Sequence, residues 1–406
     1  MSAASPSRIL YQQNRLRTTM LLLTLFEILA LLSLAIWAVL VSFWGGFWRT
    51  WESDSDGSSL PFPPNWPRVA ALIPARNEAA SISAVVAALG KQDYLGEFSA
   101  IIVDDHSSDG TAELAGSAAI AGMQILSAPE LAPGWTGKLS ALNAGIPAAS
   151  NLNPHYLWFT DADVVHAPDT LRRLVSRAEH DNLDLASLMV MLESHTFAER
   201  LLIPPFLYFF LMLYPPKWIA DPRGKTAGAA GGCILIRRTA LDRIGGLAAI
   251  RGEIIDDCCL ARAVKHSGGK IWMGLTRSSR SLRSYSGFSE IRDMIARTAF
   301  TQLGYSTLQL LGTLLGLAIT FLAPVALTFA PPAKIWLPAL LAWCLMTASF
   351  LTMVTFYRLS PIWAPLLPLA ALFYGYATQL SAIRYWLGRG GQWKGRAQAS
   401  SRGVPV

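Results

Sequence analysis

Apolar and polar positions divide the chain into stretches of different kinds. From Thr19 to about Trp44 apolar residues follow one another with Glu27 as the one charged interruption, long enough to span a bilayer. Between Arg68 and roughly Gly145, short apolar runs alternate with segments of helical spacing. Val69 to Ile73 reads as a short buried strand ended by Pro74, and Ala100 to Val103 as a second. Ile82, Val85, Val86 and Leu89 recur at helical spacing, and Ala112 to Ala121 reads as a small-residue helix. A further helix is predicted over Asp169 to Ala178. Strand–helix–strand repetition of this kind predicts an α/β domain, a parallel sheet with helices on both faces.

Beyond this domain the pattern turns apolar again. Thr307 to Ala330, Ile335 to Tyr357 and about Ile362 to Tyr385 are each of spanning length, joined by Pro331-Pro332-Ala333-Lys334 and Arg358-Leu-Ser-Pro361. The third carries Pro365 and Pro368 and is kinked or re-entrant, so two or three spans are expected over 303–388. Leu201 to Ile219 is intensely aromatic, short and broken by prolines; it reads as an in-plane interfacial segment, or alternatively as a buried core helix. The remaining pieces are a polar tail (1–18), an anchor (19–48), a Ser/Asp/Gly/Pro-rich linker (49–67) and a disordered basic tail (389–406). The first apolar run exceeds a signal-peptide core and shows no small-residue cleavage site, so it is read as a retained anchor, with Trp44, Trp48 and Trp51 at the interface.

Composition sharpens this picture. Hydrophobic residues make up 52% and charged residues 15% of 406 residues, and mean hydropathy is +0.35, too apolar for an ordinary soluble protein. A net charge of +7 points to anionic lipid or a phosphate-bearing substrate. Nucleic acid is not expected as a partner, since no dense Lys/Arg stripe is interleaved with aromatics. Cys233, Cys258, Cys259 and Cys344 have neither zinc-type spacing nor a disulfide framework, and suit a reducing compartment.

Candidate chemistry falls at the predicted strand ends, where ligands of such sheets bind. Strand one runs into Pro74-Ala-Arg76-Asn77-Glu78 and strand two into Asp104-Asp105-His-Ser-Ser-Asp-Gly110. The second of these equally suits an N-cap with turn residues. Tyr156 to Thr160 leads into Asp161-Ala-Asp163, and in extended backbone those carboxylates project to one face. Mutual repulsion would raise one pKa unless a cation such as Mg²⁺ or Mn²⁺ sits between them; a solvated turn is the plain alternative. Gly134-Trp-Thr-Gly-Lys138 lacks Walker A spacing, yet its backbone and the Lys138 ammonium could meet a diphosphate, or form a turn before a helix. Ala227 to Gly232 offers close backbone approach ahead of a strand. Asp256 and Asp257 open a helix, as caps or as a base whose pKa its neighbour raises.

With these phrases assembled, Arg68 to Gln302 resembles the family 2 glycosyltransferases of GT-A fold, the Rossmann-like nucleotide-diphospho-sugar transferases. The resemblance implies nucleotide-binding roles for Pro74, Arg76, Asn77, Glu78, Asp104, Asp105, Lys138 and Asp161. It further implies metal binding by Asp161 and Asp163, and a catalytic pair Asp256 and Asp257, with Asp257 as base. Gly134–Lys138, Glu199-Arg-Leu-Leu-Ile-Pro204, Ala230-Gly-Gly-Cys233, Ile255-Asp-Asp-Cys258 and Ala296-Arg-Thr-Ala299 are similar to phrases of the bacterial hopene-associated glycosyltransferases. That likeness implies a nucleotide-sugar donor and a lipid acceptor, with a hopanoid, polyprenyl phosphate, ceramide or diacylglycerol as candidates. Processive members carry Gln-x-x-Arg-Trp; here Asp293-Met-Ile-Ala-Arg297-Thr298 stands instead, so single transfer is expected, with Arg297 at the diphosphate. A membrane scaffold keeping an inactive transferase fold is the alternative from another class. The expected location is the bacterial inner membrane. Nucleotide-sugar supply places the domain on the cytoplasmic side, whereas Arg8, Arg15 and Arg17 before the first span argue the reverse.

Overall fold

The computed structural model describes residues 6–54, 60–388, 392–393 and 396–397. Helix α1 (Pro6–Phe43) leads to an α/β unit built on eight strands. These are β1 (Val69–Ala75), β2 (Phe98–Asp104), β3 (Met123–Ser127), β4 (Tyr156–Thr160), β5 (Val164–His166), β6 (Leu185–Met191), β7 (Cys233–Arg237) and β8 (Ile271–Ser281), in the order β3-β2-β1-β4-β7-β6-β8-β5.

The sheet is mixed rather than parallel. Pairs β1–β2, β1–β4, β2–β3 and β6–β8 are parallel, while β7 runs antiparallel to both β4 and β6, and β5 antiparallel to β8. Cys233 therefore enters the sheet beside Thr160, where β4 leaves it. That reversal delivers the small-residue run before β7 to the edge that carries the strand-end loops. Strand β1 does not stop at Pro74: it continues to Ala75, paired with β2 alone after Leu72, where a missing N–H no longer faces β4.

Alternation divides each strand between two cores. Val69, Ala71 and Ile73 pack with α2 (Ile82–Gly90) and α5 (Thr170–His180), whereas Ala70 and Leu72 pack with α4 (Gly137–Asn151). The helical spacing of Ile82, Val85, Val86 and Leu89 is realised as the buried face of α2. The small-residue helix is α3 (Thr111–Ser117), shorter than expected. The second core continues without a break into Phe350, Met353 and Tyr374 of the C-terminal helices, so both parts share one apolar interior.

Five helices among the described residues are long and apolar enough to cross a membrane: Gln12–Phe43, Phe197–Ala220, Thr307–Thr328, Ala333–Phe356 and Pro361–Trp386. The expected polar tail is helical from Pro6 onward, as part of α1. The segment read as interfacial is α6 (Phe197–Leu213) followed by α7 (Pro216–Ala220), whose Leu202, Leu207, Tyr208 and Leu211 are buried. Tyr208 bonds Ser349 at 2.6 Å, and Tyr374 Oη donates to the Leu202 carbonyl at 2.9 Å, so one face of α6 is core. The expected linker is anchored at its start: Leu275 N–H donates to Glu52 O at 2.8 Å and Thr276 Oγ1 to Asp54 at 2.7 Å; residues 55–59 lie outside the described ones. Of the tail from Arg389, Gln392–Trp393 and Arg396–Ala397 pair as short antiparallel strands, and the rest lies outside the described residues.

The third C-terminal stretch is a 3₁₀ turn (Pro361–Leu366) running into α14 (Leu367–Trp386), in keeping with its prolines. The first is α11 (Thr307–Leu317), a π turn (Ala318–Leu322) and α12 (Ala323–Thr328). At the π turn Ile319 O accepts from Ser33 Oγ and Thr320 O from Trp37 Nε1, each at 2.7 Å. Wider winding frees these carbonyls from the helical ladder for bonds to α1.

Candidate active site

The loops after β1 and β2 lock into each other. Asn77 adopts a left-handed backbone (φ 52°), accessible to Asn at modest cost. Its N–H donates to Ser107 Oγ at 3.0 Å, and its side-chain oxygen accepts from Ser108 N–H at 2.9 Å. Glu78 N–H donates to Thr111 Oγ1 at 2.8 Å and Ala79 N–H to Asp109 at 3.0 Å. Arg76 donates to the Asp105 carbonyl and lies 3.4 Å from its carboxylate. Asp104 accepts from Ser107 N–H at 3.1 Å with one oxygen; the other, Oδ1, is buried with no hydrogen-bond partner among the described residues. Pro74 contributes only backbone, one pair before the strand end.

The acidic centre is built differently. Asp161 and Asp163 are not successive outward positions of an extended strand: β4 ends at Thr160 and a turn over 162–163 precedes β5. The turn is held by Ser81 Oγ, which donates to Ala162 O at 2.9 Å, and by Leu282 N–H, which donates to Asp163 O at 2.7 Å. Ser281 Oγ adds a bond to the Asp163 carboxylate at 3.2 Å. Burial, then the charges of Asp161 and Glu78, push the Asp163 carboxyl up to about 6.

Opposite lies the start of α9 (Asp256–His266). Asp257 accepts from Gly231 N–H at 2.9 Å and from Cys258 N–H at 2.7 Å. Burial and the Asp256 charge push Asp257 up to about 6 against the pull of Lys138. A Cβ at Gly231 would stand 3.0 Å from Lys138 Nζ and 3.3 Å from Asp257 Oδ2, so the close approach offered by Ala227 to Gly232 is needed here.

Lys138, on the first turn of α4, joins the two halves. Its ammonium is 2.7 Å from Asp161 and 3.7 Å from Asp256. Burial works against its charge, but Asp161, Asp256 and Asp257 outweigh it and hold the ammonium above its ordinary value. In this arrangement Lys138 is the counter-ion of the acidic cluster rather than a free charge awaiting a diphosphate.

Arg297 does not join this cluster. It is exposed on α10 (Phe288–Gln302), and its link to the site is electrostatic: Tyr285, whose hydroxyl burial raises, senses both Arg297 and Asp163. Sequence reasoning missed Ser81 and Ser281, because each acts through a bond to a residue far along the chain. His166, beside the acidic turn, is no ligand: burial takes its pKa down to about 3, and its ring bonds Thr160 at 2.7 Å and Ser279 at 2.8 Å. All four cysteines are free.

The donor set tests the expected divalent ion. No group of three or more His, Cys, Asp or Glu among the described residues could cage a metal. Two hard carboxylates in a turn, one of them destabilised by the other, fit a Mg²⁺ or Mn²⁺ ion whose remaining ligands are phosphate oxygens and water. Asp161 and Asp163 would hold it, and it would supply neutralisation of a departing diphosphate.

Comparison with known proteins bears on the fold that carries these residues. Residues 70–245 match the model of glycosyl transferase family 2. The fold is that of the mannosyltransferase PcManGT from Pyrobaculum calidifontis, solved with GDP-mannose and Mn²⁺: 19% identity, TM-score 0.55, covering 88% of this chain and 99% of that one. Lower likenesses include glucosyl-3-phosphoglycerate synthase from Mycobacterium tuberculosis (20% identity, TM-score 0.37, 59% of this chain and 80% of that one). Mannosyl-3-phosphoglycerate synthase from Rubrobacter xylanophilus is a second (16% identity, TM-score 0.37, 63% and 86%). No curated protein matches. The α/β unit has the GT-A fold, its residues 70–245 match glycosyl transferase family 2, and apolar helices flank it on both sides.

Proposed function

We propose that the protein is a membrane-bound inverting glycosyltransferase that moves one sugar from a nucleotide-diphosphate donor to a lipid acceptor. The observation that carries this reading is the convergence of Asp161, Asp256 and Asp257 on Lys138, with Asp163 beside Asp161, at one sheet edge. Four carboxylates against one ammonium leave negative charge in excess at this edge, which suits a bound cation. The Arg76–Glu78 turn, Asp104 and Asp105 hold the nucleoside; the orphaned Asp104 Oδ1 is an acceptor for an N–H or O–H of that ligand. Asp257 takes the acceptor hydroxyl proton as that oxygen attacks the anomeric carbon, and the nucleoside diphosphate leaves from the opposite face. Gly231 and Cys258 N–H groups fix the carboxylate for this role.

A lipid acceptor is supported by the apolar core that the α/β unit shares with the apolar helices. The phrase resemblance favours a hopanoid. A polyprenyl phosphate is the second reading, favoured by Arg283 and Arg297, both exposed and both near enough to Tyr285 to act on its hydroxyl. The domain belongs on the cytoplasmic side of a bacterial inner membrane, where nucleotide sugars are supplied. The test is a screen of the purified full chain in detergent against nucleotide sugars with Mn²⁺ or Mg²⁺, reading nucleoside diphosphate release and radiolabel transfer to each lipid class. Release and transfer to a lipid are expected. Absence of metal-dependent nucleotide binding would instead favour a non-catalytic scaffold.

A further inference from the structure

The phrase Glu199-Arg-Leu-Leu-Ile-Pro204 has no part in the chemistry above, yet its first residue is a fully buried carboxylate (0% exposed). Part of its environment is that of a helix cap. Thr196 Oγ1 accepts from Glu199 N–H at 3.2 Å, and Glu199 Oε2 accepts from the N–H groups of Thr196 and His195, each at 2.9 Å. That exchange completes the cap with one carboxylate oxygen. The other, Oε1, leaves the helix and accepts from Tyr285 N–H at 2.7 Å, 86 residues away.

Tyr285 lies in the loop between β8 and α10, and the near end of this loop is bonded to the acidic turn. Ser281 Oγ donates to the Asp163 carboxylate, Leu282 N–H to the Asp163 carbonyl, and Arg283 N–H to Ser281 Oγ at 3.2 Å. The bonds thus run from the first turn of an apolar helix, through three residues of loop, to a metal-binding carboxylate. On the far side of the same helix start, Phe197 packs on Phe288 (6.4 Å) and Trp363 (5.3 Å).

We propose that Glu199 is a positioning residue: from the start of α6 it holds the 282–287 loop against Asp163, so the apolar helix sets the placement of the metal-binding turn. The role assigned to Asp163 rests on the proposed function; the brace itself is a statement about hydrogen bonds. Residues that orient a metal-binding carboxylate govern affinity for the ion as well as the ligands do.

The experiment compares Glu199→Gln with Thr196→Ala in the full chain. Gln has one acceptor oxygen, so it cannot serve both Thr196 and Tyr285, and its amide would face one donor with another. Thr196→Ala removes the other half of the cap and leaves Oε1 on Tyr285. Hydrogen–deuterium exchange of the detergent-purified protein should show Glu199→Gln exposing amides in 279–288 and 160–166, with Thr196→Ala affecting 195–200 alone. The Mn²⁺ concentration for half-maximal nucleoside diphosphate release should rise about 10- to 100-fold in Glu199→Gln and stay unchanged in Thr196→Ala. Ser281→Ala, which cuts the other end of the same loop, should reproduce the Mn²⁺ shift even if Glu199→Gln folds poorly. Exchange confined to 195–200 in Glu199→Gln, or equal Mn²⁺ shifts in it and Thr196→Ala, would overturn the brace. A wild-type protein indifferent to Mn²⁺ would strike the proposed function instead, and the exchange pattern would still decide the brace.

Discussion

The two sides of the site are both acidic and polar, yet they are organised on opposite principles. On the side of the turns after β1 and β2, Asn77, Asp109 and Asp105 are engaged by backbone N–H groups and by Arg76, and charge is spent on holding two turns together. In the centre the carboxylates of Asp163 and Asp257 stand raised to about 6, and one ammonium serves three acids. A surface whose bonds are mostly made, with Asp104 Oδ1 left as a buried acceptor, selects a ligand by shape and by one donated hydrogen bond. A surface with unrelieved repulsion selects a cation or a proton, which is what metal-assisted transfer with a carboxylate base requires.

Substitutions can set these two principles against each other. The largest effect is expected for Asp257→Asn: kcat should fall by about 10²- to 10⁴-fold with nucleotide affinity by calorimetry unchanged. Retained turnover would remove Asp257 from the role of base. Asp163→Asn should weaken Mn²⁺ binding by about 10- to 100-fold. The same variant should melt higher than wild type without metal at pH 7, since it deletes one of the repelling charges. A lower melting point there would contradict the account of the centre.

The pH dependence follows from the same groups. Asp163 and Asp257 are raised from an ordinary 3.8 to about 6, so the folded protein binds their protons more tightly than the unfolded chain does. Their contribution to stability is complete below the ordinary value and is lost as pH rises through about 6. Melting of the metal-free protein should therefore fall over that interval, and added Mn²⁺ should restore it. Turnover should rise over the same interval as Asp257 loses its proton, in a pH profile at saturating Mn²⁺. The smallest effect is expected at the rim. Asn77→Ala removes one side-chain acceptor and puts a less tolerant residue at positive φ, costing about 1–2 kcal/mol in a thermal melt with kcat little changed. A large loss of kcat there would erase the distinction between rim and centre.

What the sequence disclosed follows the range of the forces involved. Apolar spacing at Ile82, Val85, Val86 and Leu89 is local and fixed both α2 and its buried face. The acidic phrases were visible for the same reason, since strand-end loops advertise themselves by composition. The direction of β7 was not legible, because nothing within Cys233–Arg237 distinguishes a strand beside β4 that runs with it from one that runs against it. Nor was the role of Lys138, which depends on Asp256 being brought across from α9. The charge of Asp161 does act on Asp163, but through a turn pinned by Ser81 and Leu282 and not through strand alternation.

The π turn in the first C-terminal helix carries a practical consequence. Two main-chain oxygens there are capped by Ser33 and Trp37, so cutting away α1 would leave both among apolar side chains without those donors. A fragment begun after residue 49 should therefore express as misassembled, detergent-resistant aggregate. Co-expressing α1 as a separate peptide should rescue it.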